Sequence, residues 1–182
     1  MIRTALLASV MMIGFAGCAT DRNDGDDDNL SAVAADLKDA SGRSVATASL
    51  TQSGESLQVR IVATALPPGA HGAHVHSVGA CDAPDFASAG PHWNPTGRLH
   101  GTQNPQGPHR GDMPNLLVGT DGRGTLEFVI PAGAIARGEN RLLDQDGAAL
   151  VIHAAADDYR TDPSGNSGAR IACGVLQPVL VS

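Results

Sequence analysis

The stretch Leu57-Gln58-Val59-Arg60-Ile61-Val62-Ala63 alternates apolar and other residues for most of its length. Side chains point to opposite faces of a strand in turn, so this pattern gives a strand with one buried face and excludes an amphipathic helix. Leu126-Glu127-Phe128-Val129-Ile130 repeats it, bounded by Asp121-Gly122-Arg123-Gly124 and by Pro131. Leu150 to His153 and Ile171 to Val181 read as further strands, and Val33–Lys38 and Val45–Leu50 follow the pattern more loosely. No segment holds a long helical period; Ala132–Arg137 predicts a short helical turn. With 22 glycines and 11 prolines to turn the chain, several short strands predict an all-β antiparallel sandwich or barrel.

The 182 residues suit one domain with additions. A formal charge of −7 gives no basic patch for nucleic acid. At the start, Arg3 precedes an apolar run, Ala5 to Phe15, too short to span a bilayer as a helix. The pair Ala16-Gly17 before Cys18 resembles a bacterial lipoprotein signal, with Phe15 where such signals more often carry leucine. That resemblance predicts a signal peptide over 1–17, lipidation of Cys18, and a chain held to a membrane of the cell envelope. Ala19 points to the outer membrane, on its periplasmic or surface face. The alternative is an ordinary secretory peptide cleaved elsewhere; either form leaves the cytoplasm. Asp21 to Asn29 carries five aspartates, one arginine and nothing apolar, so 18–30 predicts a lipidated cysteine followed by a solvated tether. The folded domain is then 31–182.

Between Gly79 and Asn115 the strand pattern stops, and Gly, Pro, Asn and His take over. A loop that long is functional or disordered. Residues 154–169 form a second segment without strand character. His74 and His76 lie two apart on a predicted strand, so both imidazoles project from one face. His92, His100, His109 and Asp112 follow in the long loop, and His153 ends a strand. Imidazole suits zinc and copper, and zinc also accepts a carboxylate. One His-x-His pair would say little; six histidines and a carboxylate in this order predict a metal site. His71, three before His74, faces the other way on a continuous strand and reads as a hydrogen-bonding residue, not a ligand.

The motifs AHVH, GPHWNP, His100, HRGD at 109–112, VIH ending at 153 and GARIACG at 168–174 together resemble copper/zinc superoxide dismutase over residues 31–181. The resemblance implies an eight-stranded Greek-key β-barrel with long metal-binding and active-site loops. It implies one copper per subunit on His74, His76, His92 and His153, and one zinc on His92, His100, His109 and Asp112, with His92 bridging. Asp157 matches the aspartate that links ligands of the two metals. Cys81 and Cys173 match the family's disulfide, which closes a loop worth about 4–5 kcal/mol in the chain-entropy account. Arg170 matches the anion-guiding arginine. The reaction implied is 2 O₂⁻ + 2 H⁺ giving O₂ and H₂O₂, with copper cycling between two oxidation states and His92 carrying a proton.

Two other readings stand beside an active dismutase: a non-enzymatic copper- or zinc-binding lipoprotein on the same fold, and a structural sandwich with incidental histidines. The first would lack a copper ligand or the arginine, and this chain lacks neither. Members of the family occur as monomers and dimers, so monomer and homodimer both stay open. From Leu30 onward ten cations face fourteen carboxylates. A negative body acting on a negative substrate needs local positive charge, and loop 154–169 contains no lysine. The source of steering beyond Arg170 and the metals is not readable from sequence.

Overall fold

The computed structural model describes residues 30–179. The expected signal peptide, Cys18 and nearly all of the acidic tether lie outside the described residues. The strands are β1 (Ala32–Lys38), β2 (Ser44–Ser53), β3 (Ser56–Ala63), β4 (Gly69–His71), β5 (Ala73–His76), β6 (Leu116–Val118), β7 (Gly124–Pro131), β8 (Ala149–His153), β9 (Arg170–Val175) and β10 (Gln177–Pro178). Eight form one antiparallel sheet in the order β5-β8-β9-β1-β2-β3-β7, with β10 beside β1. β4 and β6 pair separately. β4 runs into β5 through Gly72, and β6 packs on β7, so this small pair spans between the two end strands and the sheet curls into a barrel.

The alternating residues fill the barrel. Val33, Leu37, Leu50, Leu57, Val59, Ile61, Ile130, Leu150 and Ile152 belong to one buried cluster. β5 and β8 are buried along their whole length, yet only one face of each meets this core. Ala73, Val75, Leu150 and Ile152 point inward. Ala149 and Val151 point outward and pack with Phe86 and Ala89 of the long loop and with Cys173 of β9. His74, His76 and His153 share that outward parity. The histidines therefore stand on the outer wall of the barrel, beneath the two long loops.

The loop after β5 is fastened along that wall. Val75 N–H donates to the Gly111 carbonyl, Trp93 N–H to that of Val75, and Gly111 N–H to that of Trp93. Gly111 is required here, because an added Cβ would overlap the Val75 carbonyl oxygen. Bridges His76–His92 and His74–Asp112 extend the contact. The Cys81–Cys173 disulfide joins the same loop to β9, with Cα atoms 5.6 Å apart.

Three expectations need correction. Ala132–Arg137 is not helical: Ala132 has φ 51°, and Ala134 bridges to Arg141 instead. Gln52 intercepts the backbone there, accepting from Ile135 N–H and donating to the Gly133 carbonyl. The strand expected over 171–181 breaks at Leu176, whose N–H turns to the Ala148 carbonyl. His71 and His74 are not on one continuous strand, because Gly72 separates β4 from β5. His71 is nonetheless a hydrogen-bonding residue: its ring nitrogens face the carbonyls of His153 and Pro67 at 2.8 and 2.9 Å.

Candidate metal centre

Antiparallel pairing sets His74 opposite Val151 and His76 opposite Ala149, and a register shift after Ile152 turns His153 toward them. His92 comes from the long loop and stacks at 4.1 Å between ring centroids on His74 and 4.9 Å from His76. Each of the four rings has one nitrogen committed. His74 Nε2 donates to Asp157 Oδ2 (2.7 Å), His76 Nδ1 to the Gly90 carbonyl (2.8 Å), and His153 Nδ1 to the Gly168 carbonyl (3.1 Å). His92 Nδ1 meets Asp112 Oδ1 at 2.8 Å.

The opposite nitrogens, His74 Nδ1, His76 Nε2, His92 Nε2 and His153 Nε2, are buried and have no hydrogen-bond partner. They come from a group whose ligand atoms all lie within 4.8 Å of one another. Buried polar atoms without partners are costly. Four converging on one point answer that cost together if they share an ion, and imidazole nitrogens of this number and kind suit copper.

Beside them, three imidazoles converge on a single carboxylate oxygen. Asp112 Oδ1 lies 2.8 Å from His92 Nδ1, 3.1 Å from His100 Nδ1 and 3.3 Å from His109 Nδ1. Its other oxygen accepts from the N–H groups of Gly101 and His109, which fixes the carboxylate. Three nitrogens and one oxygen make a donor set suited to tetrahedral zinc. His74 also lies close enough to group with His92, His100 and Asp112, but its Nε2 is committed to Asp157 and its free Nδ1 belongs with the other four-histidine set.

Asp157 joins the two sets, accepting from His74 Nε2 through one oxygen and from His100 Nε2 (3.0 Å) through the other. Its own backbone N–H is held by Asn115 Oδ1.

Burial shapes the charge of these groups in the metal-free protein. It pushes His74 down to about 3, His76 to about 2 and His153 to about 4, so all three are neutral and ready to ligate at neutral pH. For His100 burial acts in the same direction, but hydrogen bonds to Asp112 and Asp157 outweigh it and raise the ring to about 9. Asp112 and Asp157 stay ionised well below the usual carboxylate range: burial opposes this, and the imidazole hydrogen bonds overcome it.

Arg170 reaches the same place from β9. Its Nη1 donates to the Phe86 carbonyl (2.6 Å) and its Nη2 to that of Gly90 (2.8 Å). It lines an open cavity of about 730 Å³ together with His76, His92 and His153.

The copper/zinc superoxide dismutase profile matches residues 44–176. The chain belongs to the copper/zinc superoxide dismutase family. A Cu-Zn superoxide dismutase of Aquifex aeolicus is 43 % identical over 145 residues, covering 79 % of this chain and 86 % of the relative. A superoxide dismutase-like protein of Bacillus subtilis is 49 % identical over 124 residues, covering 67 % and 63 %. The crystal structure of a SOD-like protein from the same bacterium superposes with a TM-score of 0.75 at 42 % identity, covering 79 % of this chain and 97 % of that one. The chain is thus an oxidoreductase that dismutes superoxide to oxygen and hydrogen peroxide, with copper and zinc as cofactors.

The structure brings together His74, His76, His92, His100, His109, Asp112, His153 and Asp157, the histidines and aspartates expected from sequence to lie at one place. Sequence reasoning missed the carbonyls of Phe86, Gly90 and Gly168, which orient Arg170, His76 and His153. Backbone groups leave no mark in residue type. It also missed Gly165, where an added Cβ would overlap Asp157 Oδ1.

Proposed function

We propose that His74, His76, His92 and His153 hold copper, that His92, His100, His109 and Asp112 hold zinc, and that the protein works at the cell envelope on a lipid anchor at Cys18. The observation carrying the ligand assignment is the set of four unpartnered buried nitrogens, with the second nitrogen of each ring already oriented. Copper, when bound, supplies the one-electron couple that accepts an electron from one superoxide and returns it to the next.

The chain's own groups do the rest. Arg170 is fixed by two carbonyls, so its remaining N–H groups are preorganised to receive a small anion beside the histidines. His92 is the one ring shared by both sets. Its Nδ1 stays on the Asp112 side, and its Nε2 takes a proton when not ligating and gives it to the departing peroxide. The second proton comes from solvent, which reaches this open cavity, and the sum is 2 O₂⁻ + 2 H⁺ → O₂ + H₂O₂.

The test combines metal content with activity. One copper and one zinc per chain are expected, with fast superoxide removal. His153→Ala should lose copper and activity while retaining zinc; retention of copper at full activity would refute the assignment. The anchor is supported by the Ala16-Gly17-Cys18 sequence and the acidic spacer after it. Labelled fatty acid should enter the protein and fail to enter Cys18→Ala. Equal labelling of both would end that reading.

A further inference from the structure

Superoxide must cross the cavity of about 730 Å³ to reach the histidines, and the charges on its wall decide how an anion enters. The folded body carries more carboxylates than cations, so its distant field repels the substrate. Loop 154–169 contributes Pro163, Ser164 and Gly168 to the wall, none of them charged. Its arginine, Arg160, does not line the cavity and donates to Gln103 Oε1 instead. Arg170 lies half-buried with two N–H groups given to carbonyls. Among the described residues, the one other cation lining the cavity is Arg141, from segment 132–148.

Arg141 is exposed, but its place is set by backbone. Ala134 bridges to it, and the next residue, Leu142, is buried and donates its N–H to the Ala134 carbonyl at 2.7 Å. The side chain makes one long contact, Nη1 to the Gly138 carbonyl at 3.4 Å. Glu139 and Asp144 flank it on the same wall.

We propose that Arg141 is the outer anion-capture residue of this dismutase, drawing superoxide into the cavity ahead of Arg170, with Glu139 and Asp144 setting the strength of that attraction. The outer positive charge of the cavity thus comes from segment 132–148 and not from loop 154–169. The inference rests on the reading that superoxide reacts at the histidine cluster.

The test uses the copper- and zinc-loaded protein with metal content checked in every variant. Azide affinity, read from the optical spectrum of bound copper, is measured beside kcat/KM for superoxide, each across ionic strength. Arg141→Gln should weaken both by roughly two- to tenfold at low salt, with the gap closing at high salt as screening removes the field. Arg141→Lys should restore most of the loss, and Glu139→Gln should strengthen both. Arg60→Gln, on the remote β3–β7 face, changes net charge equally and should leave both measurements near wild type. If Arg141→Gln matches wild type at low salt, or Arg60→Gln falls as far, the proposal is wrong. Failure of the loaded wild type to remove superoxide would instead overturn the site reading, and azide affinity would still decide the role of Arg141.

Discussion

Gly165 shows how little room the site leaves. It adopts φ +63°, and an added Cβ would overlap Asp157 Oδ1 and stand 2.8 Å from His100 Nε2. Gly165→Ala must displace the carboxylate that orients both rings. Losing such a partner costs about 10–100-fold in metal affinity, and competition with a chelator should show this for both metals. His100 gives a second expectation. Its ring, raised to about 9, carries a proton at neutral pH in the metal-free protein, and a ligating nitrogen must lose its proton. Zinc affinity should therefore climb by about tenfold per pH unit until the ring's own value is passed. Calorimetry in buffers of different ionisation enthalpy should find close to one proton released from this ring near neutral pH; none released would contradict the assignment.

The loop from β5 to β6 and strand β9 act as one piece. Cys81 and Cys173 join them, and the Phe86 and Gly90 carbonyls of that loop hold the Arg170 guanidinium. The double variant Cys81→Ser/Cys173→Ser should lose about 2–4 kcal/mol of stability in denaturant titration. It should also lose more activity than copper, because the arginine is no longer held while His74, His76 and His153 remain on β5 and β8. Activity falling only in step with copper would mean that the loop holds Arg170 without help. Among elements, the long strands were readable because one face meets the core and the other meets solvent, as in β3. β4 and β6 have three residues each, too few to show a period. The helical turn expected at Ala132–Arg137 failed because Gln52, far away in sequence, captures the backbone groups a helix would use. The residues gathered at the candidate metal centre were readable from their types and order. The carbonyls that aim them and the Arg141 wall depend on folding alone.

In the molecule as a whole, the buried titratable groups set a stability profile for the metal-free protein. His74, His76 and His153 have folded values below the ordinary 6.5, so they favour folding fully above that pH. Their contribution is lost as pH falls from 6.5 toward about 4 and below, because the unfolded chain binds protons first. The depressed carboxyls of Asp112 and Asp157 add to the loss once pH drops under about 4. His100 has the opposite sign: its contribution is complete below 6.5 and fades as pH rises through about 9. Thermal unfolding should give a maximum near neutrality, with the steeper fall on the acid side; a profile flat from pH 4 to 7 would contradict the burial of these rings. Asp157, which grips one ring of each metal set, also imposes a thermodynamic reciprocity. If filling one set orients the carboxylate for the other, each metal must raise its neighbour's affinity by the same factor, whichever is loaded first. Asp157→Asn should shrink that shared factor in both loading orders alike, so that one side chain outside both donor sets would make the pair of metals a single cooperative cargo.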